Sequence, residues 1–139
     1  MPPPLDKVDL SQLDVLLIDD NKFIRLLLGD VLRSFGVGTI REASSADQAL
    51  QKIHQRGPDI ILCDWMMDPP DGMALLRKIR SVGGAQRVPV IMITGHASSD
   101  HVSEALGEGA DSYIVKPFRP ATLMEHLLKV ICASKVEYI

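Results

Sequence analysis

The stretch DIILCDWMMDPPDG, residues 59–72, carries an apolar run directly into an aspartate. Ile60–Cys63 are apolar without alternating with polar residues, which is typical of a strand that helices cover on both faces. Asp64 ends the run, and Asp68 and Asp71 follow it among prolines and a glycine. The stretch therefore predicts a central strand of a parallel sheet, with a carboxylate at the carboxyl end of that strand.

Similar strand patterns recur along the chain, and a helical pattern follows each of them. The predicted strands are Val15–Asp19, Gly38–Ala43, Asp59–Asp64, Val88–Thr94 and Asp111–Val115. The predicted helices are Asn21–Phe35, Ser45–Gln55, a third that starts after Gly72, Ser98–Leu106 and Arg119–Ala133. Right-handed crossovers then give an α/β fold, a doubly wound (βα)5 sandwich of three layers.

The apolar face of the first helix is expected to pack on the sheet. Its predicted stripe consists of Leu27, Leu28, Val31, Leu32 and Phe35. Cys63 and Cys132 also lie in apolar patterns, so we expect free buried thiols and not a disulfide.

Length and charge indicate one domain with short tails. The 139 residues are 46% hydrophobic and 24% charged, and we assign 1–12 and 135–139 to tails and 13–134 to the domain. A net charge of −3 with mixed signs gives no basic surface for nucleic acid or an anionic membrane. The sequence has no secretory leader pattern and no apolar run near the ~18 residues that span a bilayer, so we expect a cytoplasmic protein.

Polar side chains end several of the predicted strands, at the edge where open parallel sheets bind ligands. They are Asp19, Asp20, Asp64, Thr94 and Lys116. Three neighbouring carboxylates repel one another, and a hard cation such as Mg²⁺ (or Mn²⁺) removes that conflict. A hydroxyl and an ammonium beside a metal suit a phosphoryl group, which an aspartate can accept as a nucleophile. Each residue alone could be a helix cap, an ordinary strand residue or a loop residue, so only the combination indicates a phosphoryl-accepting site.

This combination resembles the receiver domains of bacterial response regulators, most closely the stand-alone chemotaxis type. The shared motifs are LLIDDN, ILCDWMM followed by DG, IMITG and SYIVKPF, within a similarity that spans about Asp14–Ala133. The intervals of 44, 30 and 22 residues that separate Asp20, Asp64, Thr94 and Lys116 also agree. The resemblance implies a flavodoxin-like sheet of five parallel strands in the order 2-1-3-4-5.

The resemblance also implies a role for each acidic residue. Asp64 would be the phosphoacceptor. Asp20 and Asp64 would ligate Mg²⁺ directly, Asp19 would lie near the ion through water, and the backbone carbonyl of Met66 would be a further ligand.

Roles for the other strand-end residues follow from the same resemblance. Lys116 would pair with a phosphoryl oxygen, and Lys116-Pro117 would be a cis peptide bond. Thr94 would move its hydroxyl to the phosphoryl group and let Tyr113 turn inward. Gly95 would keep access open, although an ordinary turn glycine would look the same.

Three positions near the acceptor depart from the family pattern. Asp68 stands where a proline is common, and we find no explanation for it in the sequence. Met66 and His96 stand where amide or acidic side chains often assist an attacking water, so we expect slow loss of the phosphoryl group. Asp71 is expected to cap the third helix.

The expected partners are proteins. A histidine kinase or histidine phosphotransfer protein would dock on Phe23, Ile24 and Leu26, unless a neighbouring loop partly buries them. A downstream target would bind the face of the fourth helix, fifth strand and fifth helix. We expect a monomer or weak dimer.

Three functions remain open from the sequence. The favoured one is a phosphorylation-dependent binding switch, which is no enzyme beyond its own phosphorylation and dephosphorylation. A phosphorelay intermediate would pass the phosphate onward to another histidine. A Mg²⁺-dependent phosphohydrolase is disfavoured, because Asp19-Asp20-Asn21 lacks the D-x-D pattern of such enzymes, and flavin binding is disfavoured because no Ser/Thr/Gly-rich loop follows the first strand.

Overall fold

Strands and helices alternate in the computed structural model, which describes residues 9–81, 87–95 and 99–136. The strands are β1 (Asp14–Ile18), β2 (Thr39–Ala43), β3 (Ile60–Asp64), β4 (Val90–Thr94) and β5 (Ser112–Val115). The α-helices are α1 (Lys22–Ser34), α2 (Ala46–Gln55), α3 (Gly72–Ser81), α4 (Ser99–Gly107) and α5 (Pro120–Val136). This confirms the five predicted βα units.

The strands form one parallel sheet in the order β2-β1-β3-β4-β5. Every residue of β1, β3 and β4 is buried, which explains why their sequences are apolar without alternation. The register pairs Ile18 with Cys63 and Asp64 with Ile93, so the carboxyl ends of these three strands lie side by side. The predicted fold class and strand order are confirmed.

A separate hydrophobic core fills each face of the sheet. Leu16 and Ile18 of β1 contribute to the core under α2, α3 and α4, whereas Val15 and Leu17 contribute to the core under α1 and α5. Successive residues of a strand point to opposite faces of the sheet, so β1 contributes side chains to both cores. No helix in the described part of the chain has the length and apolar character to cross a membrane.

The predicted apolar stripe of α1 is wrong at two of its positions. Leu28 and Leu32 are buried and Val31 packs at the edge of the core, but Leu27 is 54% and Phe35 45% exposed. One helix face contacts the sheet along a narrow line of residues four apart. A stripe that also included Leu27 and Phe35 was too wide for that contact.

Regular structure extends beyond both ends assigned to the domain. A 3₁₀ turn at Leu10–Gln12 precedes β1, and the carbonyl of Leu10 accepts a hydrogen bond from the Gly38 N–H. At the other end, α5 continues through Val136. The remaining residues of the two tails, 1–8 and 137–139, lie outside the described residues.

Candidate functional site

The carboxyl edge of the sheet brings the predicted strand-end residues together. Asp64 and Thr94 are the last residues of β3 and β4. Asp19 directly follows β1, and Lys116 directly follows β5. The sheet order, with β1 beside β3 and β4 beside β5, therefore places an acid, an acid, a hydroxyl and an ammonium along one edge.

Three carboxylates form a cluster at this edge. One oxygen each from Asp19, Asp20 and Asp64 lies within 4.8 Å of the others, with Asp19 and Asp64 buried and Asp20 exposed. The Nζ atom of Lys116 is 3.4 Å from Asp19 Oδ2 and 3.3 Å from Asp64 Oδ1. One ammonium thus bridges two of the three acids, and the cluster keeps an excess of negative charge.

The electrostatic environment of Asp64 reflects this excess. Burial raises the pKa of Asp64, and the charge of Asp19 raises it further. Lys116 and a hydrogen bond from the Met66 backbone oppose the increase in pKa without cancelling it. An additional cation at the cluster would favour the ionised carboxylate.

The donors of the cluster fit a hard divalent cation. All three are carboxylates, and oxygen ligands are those that Mg²⁺ prefers. The exposed side of Asp20 faces solvent, which suits an ion that keeps several of its waters. The acidic cluster that the family resemblance implies for Mg²⁺ is therefore present in this chain.

The loop from β3 to α3 folds back on the end of β3, where the Gly72 N–H donates to the Trp65 carbonyl at 3.0 Å. The Asp71 carboxylate accepts a hydrogen bond from the Ala74 N–H at 2.9 Å, which confirms Asp71 as the cap of α3. A Cβ atom at Gly72 would lie 2.2 Å from the carbonyl oxygen of Asp64, so only glycine allows this approach. The Asp68 N–H donates to Asp20 Oδ2 at 3.2 Å, a contact that sequence reasoning missed.

The remaining predicted residues surround the acidic cluster or lie outside the described part. Met66 is 57% exposed in the loop after Asp64, and Gly95 is exposed with open space around it. Lys116-Pro117 is a cis peptide bond, as the resemblance implies. His96 lies outside the described residues, so its proposed role stays a prediction.

Thr94 and Tyr113 are directly linked. Thr94 is fully buried, and its side chain is hydrogen-bonded to the Tyr113 side chain. Burial raises the pKa of Tyr113, and this hydrogen bond opposes the increase. The Tyr113 ring also meets Trp65 edge-on at 6.4 Å between centroids. Tyr113 is thus in contact with both Thr94 and the residue that follows Asp64.

Sequence reasoning missed two further neighbours of the site. The Trp65 ring meets His101 of α4 edge-on at 5.0 Å. Arg25 of α1 donates from Nη1 to the backbone carbonyl of Asp19 at 2.6 Å. Trp65 could have been noticed because it is the single tryptophan and directly follows Asp64. No local sequence pattern would have paired Arg25 with Asp19.

An apolar groove adjoins Lys116. It has a volume of about 300 Å³ and is lined by Ile24, Leu27, Lys116, Pro117 and Phe118. Phe23 is 79% and Leu26 45% exposed beside it, whereas Ile24 packs partly against the core. Of the three residues predicted for donor docking, two are therefore exposed and one is partly buried.

Both buried cysteines, Cys63 and Cys132, are free thiols, as predicted.

Comparison with known proteins identifies the family. Residues 15–128 match the family described as the response regulator receiver domain. The chain is 35% identical to the chemotaxis protein CheY-3 of Vibrio cholerae over 120 residues, and this match covers 86% of this chain and 92% of that protein. It is 33% identical over 116 residues to the chemotaxis protein CheY of Pseudomonas aeruginosa, which covers 84% of this chain and 94% of that protein.

Solved structures share the fold. The chain superimposes on NtrX of Brucella abortus with a TM-score of 0.84 and 32% identity, covering 91% of this chain and 28% of that longer chain. With CheY4 of Vibrio cholerae the TM-score is 0.80 at 29% identity, over 85% of this chain and 98% of that chain. Motifs, strand order and sequence similarity agree, and the chain belongs to the response regulator receiver family.

Proposed function

We propose that this response regulator is a binding switch that accepts a phosphoryl group on Asp64 from a phosphohistidine and then changes a surface for another protein. One observation carries the proposal. The Asp64 carboxylate lies at the end of a buried central strand, with Oδ1 3.3 Å from the Lys116 ammonium and with two further acids beside it. The arrangement offers a nucleophile together with groups that can neutralise phosphoryl charge.

The reaction is a transfer of the phosphoryl group between two side chains. A carboxylate oxygen of Asp64 attacks phosphorus, the bond from phosphorus to the donor imidazole nitrogen breaks, and that nitrogen keeps the electron pair. Lys116, which already lies against Asp64, pairs with a phosphoryl oxygen. Asp19, Asp20 and Asp64 would hold Mg²⁺, which supplies further positive charge for the phosphoryl oxygens.

The switch would act through Thr94 and Tyr113. The Thr94 and Tyr113 side chains are hydrogen-bonded to each other. A phosphoryl group is a stronger acceptor, so Thr94 would donate to it and leave Tyr113 in a changed environment. Tyr113 belongs to β5 and contacts Trp65, which packs against His101 of α4. Phosphorylation would thereby shift the population of conformations at the face of α4, β5 and α5, where the target protein would bind.

The donor would dock on α1 and the neighbouring loop. Phe23 and Leu26 expose apolar surface, and the groove beside them is lined by Lys116 itself. A histidine kinase or phosphotransfer protein seated there would bring its phosphohistidine to the same edge as Asp64. The continuity of this apolar surface with the acceptor site supports it over other exposed surfaces of the chain.

The acceptor is tested by mass spectrometry after incubation with a small phosphodonor and Mg²⁺. Wild type should gain one phosphoryl group and Asp64→Asn none. Asp68→Asn is the matched control, because it changes another aspartate near the cluster and should be labelled like wild type. Labelling of Asp64→Asn at the wild-type rate would overturn the proposal.

The donor surface is tested with two variants of similar exposure. Leu26 is 45% exposed on α1, and Leu106 is 48% exposed on α4. Leu26→Glu should slow transfer from the phosphohistidine donor but not from a small phosphodonor, whereas Leu106→Glu should leave both rates unchanged. Slowed transfer in Leu106→Glu alone would place the donor on α4 instead.

A further inference from the structure

Arg25 makes two well-formed contacts beside the acidic cluster. Its Nη1 donates to the backbone carbonyl of Asp19 at 2.6 Å, and its Nε donates to Glu42 Oε1 of β2 at 3.1 Å. The Arg25 side chain is only 15% exposed. We infer that Arg25 is a positioning residue for the metal site, which holds the turn that carries Asp19 and Asp20. This inference rests on the proposed function, because it concerns the same cluster.

The turn is short, and most of its polar groups already have partners. The Asp19 N–H donates to the carbonyl of Ala43 at 3.1 Å, and Asp19 Oδ1 accepts from the Asn21 N–H at 2.9 Å. Asp19 Oδ2 lies against Lys116. The backbone carbonyl of Asp19 completes this set by accepting from Arg25. Arg25 is therefore the contact that fixes the peptide group on the carboxyl side of Asp19.

That peptide group determines where Asp20 points. A peptide unit is planar, so an anchored Asp19 carbonyl also fixes the N–H and Cα of Asp20. Asp20 is exposed, and the described contact of its side chain is the single hydrogen bond from the Asp68 N–H. The orientation of this carboxylate toward an ion thus depends mainly on its backbone. Glu42 in turn anchors the guanidinium to β2.

The contacts of Arg25 also leave the carboxylates of the cluster accessible. Lys116 bonds to carboxylate oxygens of Asp19 and Asp64, where it would have to share them with a metal ion. Arg25 bonds instead to a carbonyl and to Glu42, which lies outside the cluster. Arg25 can therefore keep its contacts whether or not an ion is bound. Its planar guanidinium, whose N–H donors have a fixed geometry, suits a role in holding the Asp19 carbonyl in place.

The same sheet provides a matched control in Arg41. Its Nε donates to Asp14 Oδ1 at 3.0 Å, and its two other nitrogens donate to the carbonyls of Lys52 and Arg56. Its side chain is 19% exposed, close to the value for Arg25. Arg41 lies in the middle of β2, but its guanidinium reaches Asp14 at the amino end of β1 and makes no contact with Asp19, Asp20 or Asp64 in the described part of the chain. Its removal should therefore cost stability without disturbing the metal site.

The experiment measures Mg²⁺ affinity and stability of the full chain with Arg25→Gln, Arg25→Lys and Arg41→Gln. Mg²⁺ is titrated by calorimetry and by fluorescence of Trp65, the single tryptophan, which follows Asp64. Urea unfolding of the metal-free protein gives the stability of each variant. Arg25→Gln should weaken Mg²⁺ binding about tenfold, the size typical of groups that orient metal ligands. Arg25→Lys should recover part of that loss, since an ammonium can still reach the carbonyl.

The outcomes separate the inference from the proposed function. Arg41→Gln should lose stability and keep its Mg²⁺ affinity within about twofold of wild type, as expected of a group far from the ligands. An Arg25→Gln affinity equal to that of wild type, or an equal loss in Arg41→Gln, would overturn the positioning role while leaving the proposed function intact. Failure of the wild type itself to bind Mg²⁺ would instead overturn the metal site, and the positioning role with it.

Discussion

A buried aspartate lies at each end of strand β1: Asp14 is its first residue, and Asp19 directly follows its last. The two carboxylates differ in how many positively charged groups face them. At the amino end, Asp14 is 3% exposed and lies 3.0 Å from Arg41 Nε and 3.2 Å from Arg56 Nε. At the carboxyl end, Asp19 is 2% exposed and shares the single ammonium of Lys116 with Asp64. One acid has two guanidinium partners, whereas two buried acids share one ammonium.

Burial of an acid therefore does not mark a functional site, but the balance of charge around it does. The amino end is a closed structural network, in which the Asp14 N–H also donates to Asp59 Oδ2 at 2.8 Å. Arg56 contributes an ion pair there without an aligned hydrogen bond, and Asp14 Oδ2 has no hydrogen-bond partner among the residues that the structure describes. The carboxyl end has a charge excess that a metal ion can remove. The same residue type thus forms ion pairs within the fold at one end of β1, and at the other end it belongs to an acidic cluster that could hold a metal ion.

The largest effect is expected from Asp14→Asn at the amino end. The substitution removes the charge that two guanidinium groups face, and losing the charged hydrogen bond between buried Asp14 and Arg41 should lower the free energy of unfolding by about 2 kcal/mol. Urea unfolding measures the loss. Mg²⁺ affinity should be unchanged, because the acidic cluster lies at the other edge. A loss below about 1 kcal/mol, the value for exposed ion pairs, would contradict the contrast between the two ends.

The opposite sign is expected from Asp64→Asn at the carboxyl end. Burial and Asp19 raise the pKa of Asp64, so the folded protein holds a proton on this carboxyl to a higher pH than the unfolded chain does. Stability of the metal-free wild type therefore falls as pH rises from the unfolded pKa through the raised folded pKa. Above that window the ionised carboxylate costs stability, and Asp64→Asn should be more stable by roughly 1 kcal/mol.

Unfolding across a pH series without Mg²⁺ tests this sign. The advantage of Asp64→Asn should be largest at neutral pH and should shrink as the pH falls through the window. Added Mg²⁺ should stabilise the wild type and not the variant, because ligand binding to the folded state adds stability. A variant less stable than wild type at neutral pH would show that Lys116 already balances the cluster.

The fold was largely predictable because its signals are local. Continuous apolar runs predict the buried strands β1, β3 and β4, and the structure places them at the centre of the sheet. The strand order came from the family resemblance, not from periodicity. The apolar stripe of α1 was predicted too wide, because the sequence shows which side chains are apolar but not how many of them the sheet can cover. Leu27 instead lines a groove beside Lys116.

The sequence predicts the site residues that lie at the ends of strands. It does not predict the contacts that side chains make between different helices, strands and loops. Asp64 and Thr94 were assigned to one edge because carboxyl ends of parallel strands converge. Arg25 reaches back from α1 to the Asp19 carbonyl, and the Asp68 N–H reaches Asp20 from another loop. Such contacts depend on side-chain direction and loop path. A single sequence does not encode them in any spacing.

The smallest predicted effect concerns the open side of the carboxyl end. Met66 is 57% exposed two residues after Asp64, and its thioether is only a weak hydrogen-bond acceptor. It cannot orient water as an amide can, so Met66→Asn should speed loss of the phosphoryl group by about threefold, which corresponds to ~0.7 kcal/mol. Met66→Leu, of similar volume and without an amide, should decay like wild type. Decay is followed by mass after removal of the phosphodonor, and equal rates in all three proteins would mean that access of water to the phosphoryl group, and not its orientation, limits the reaction.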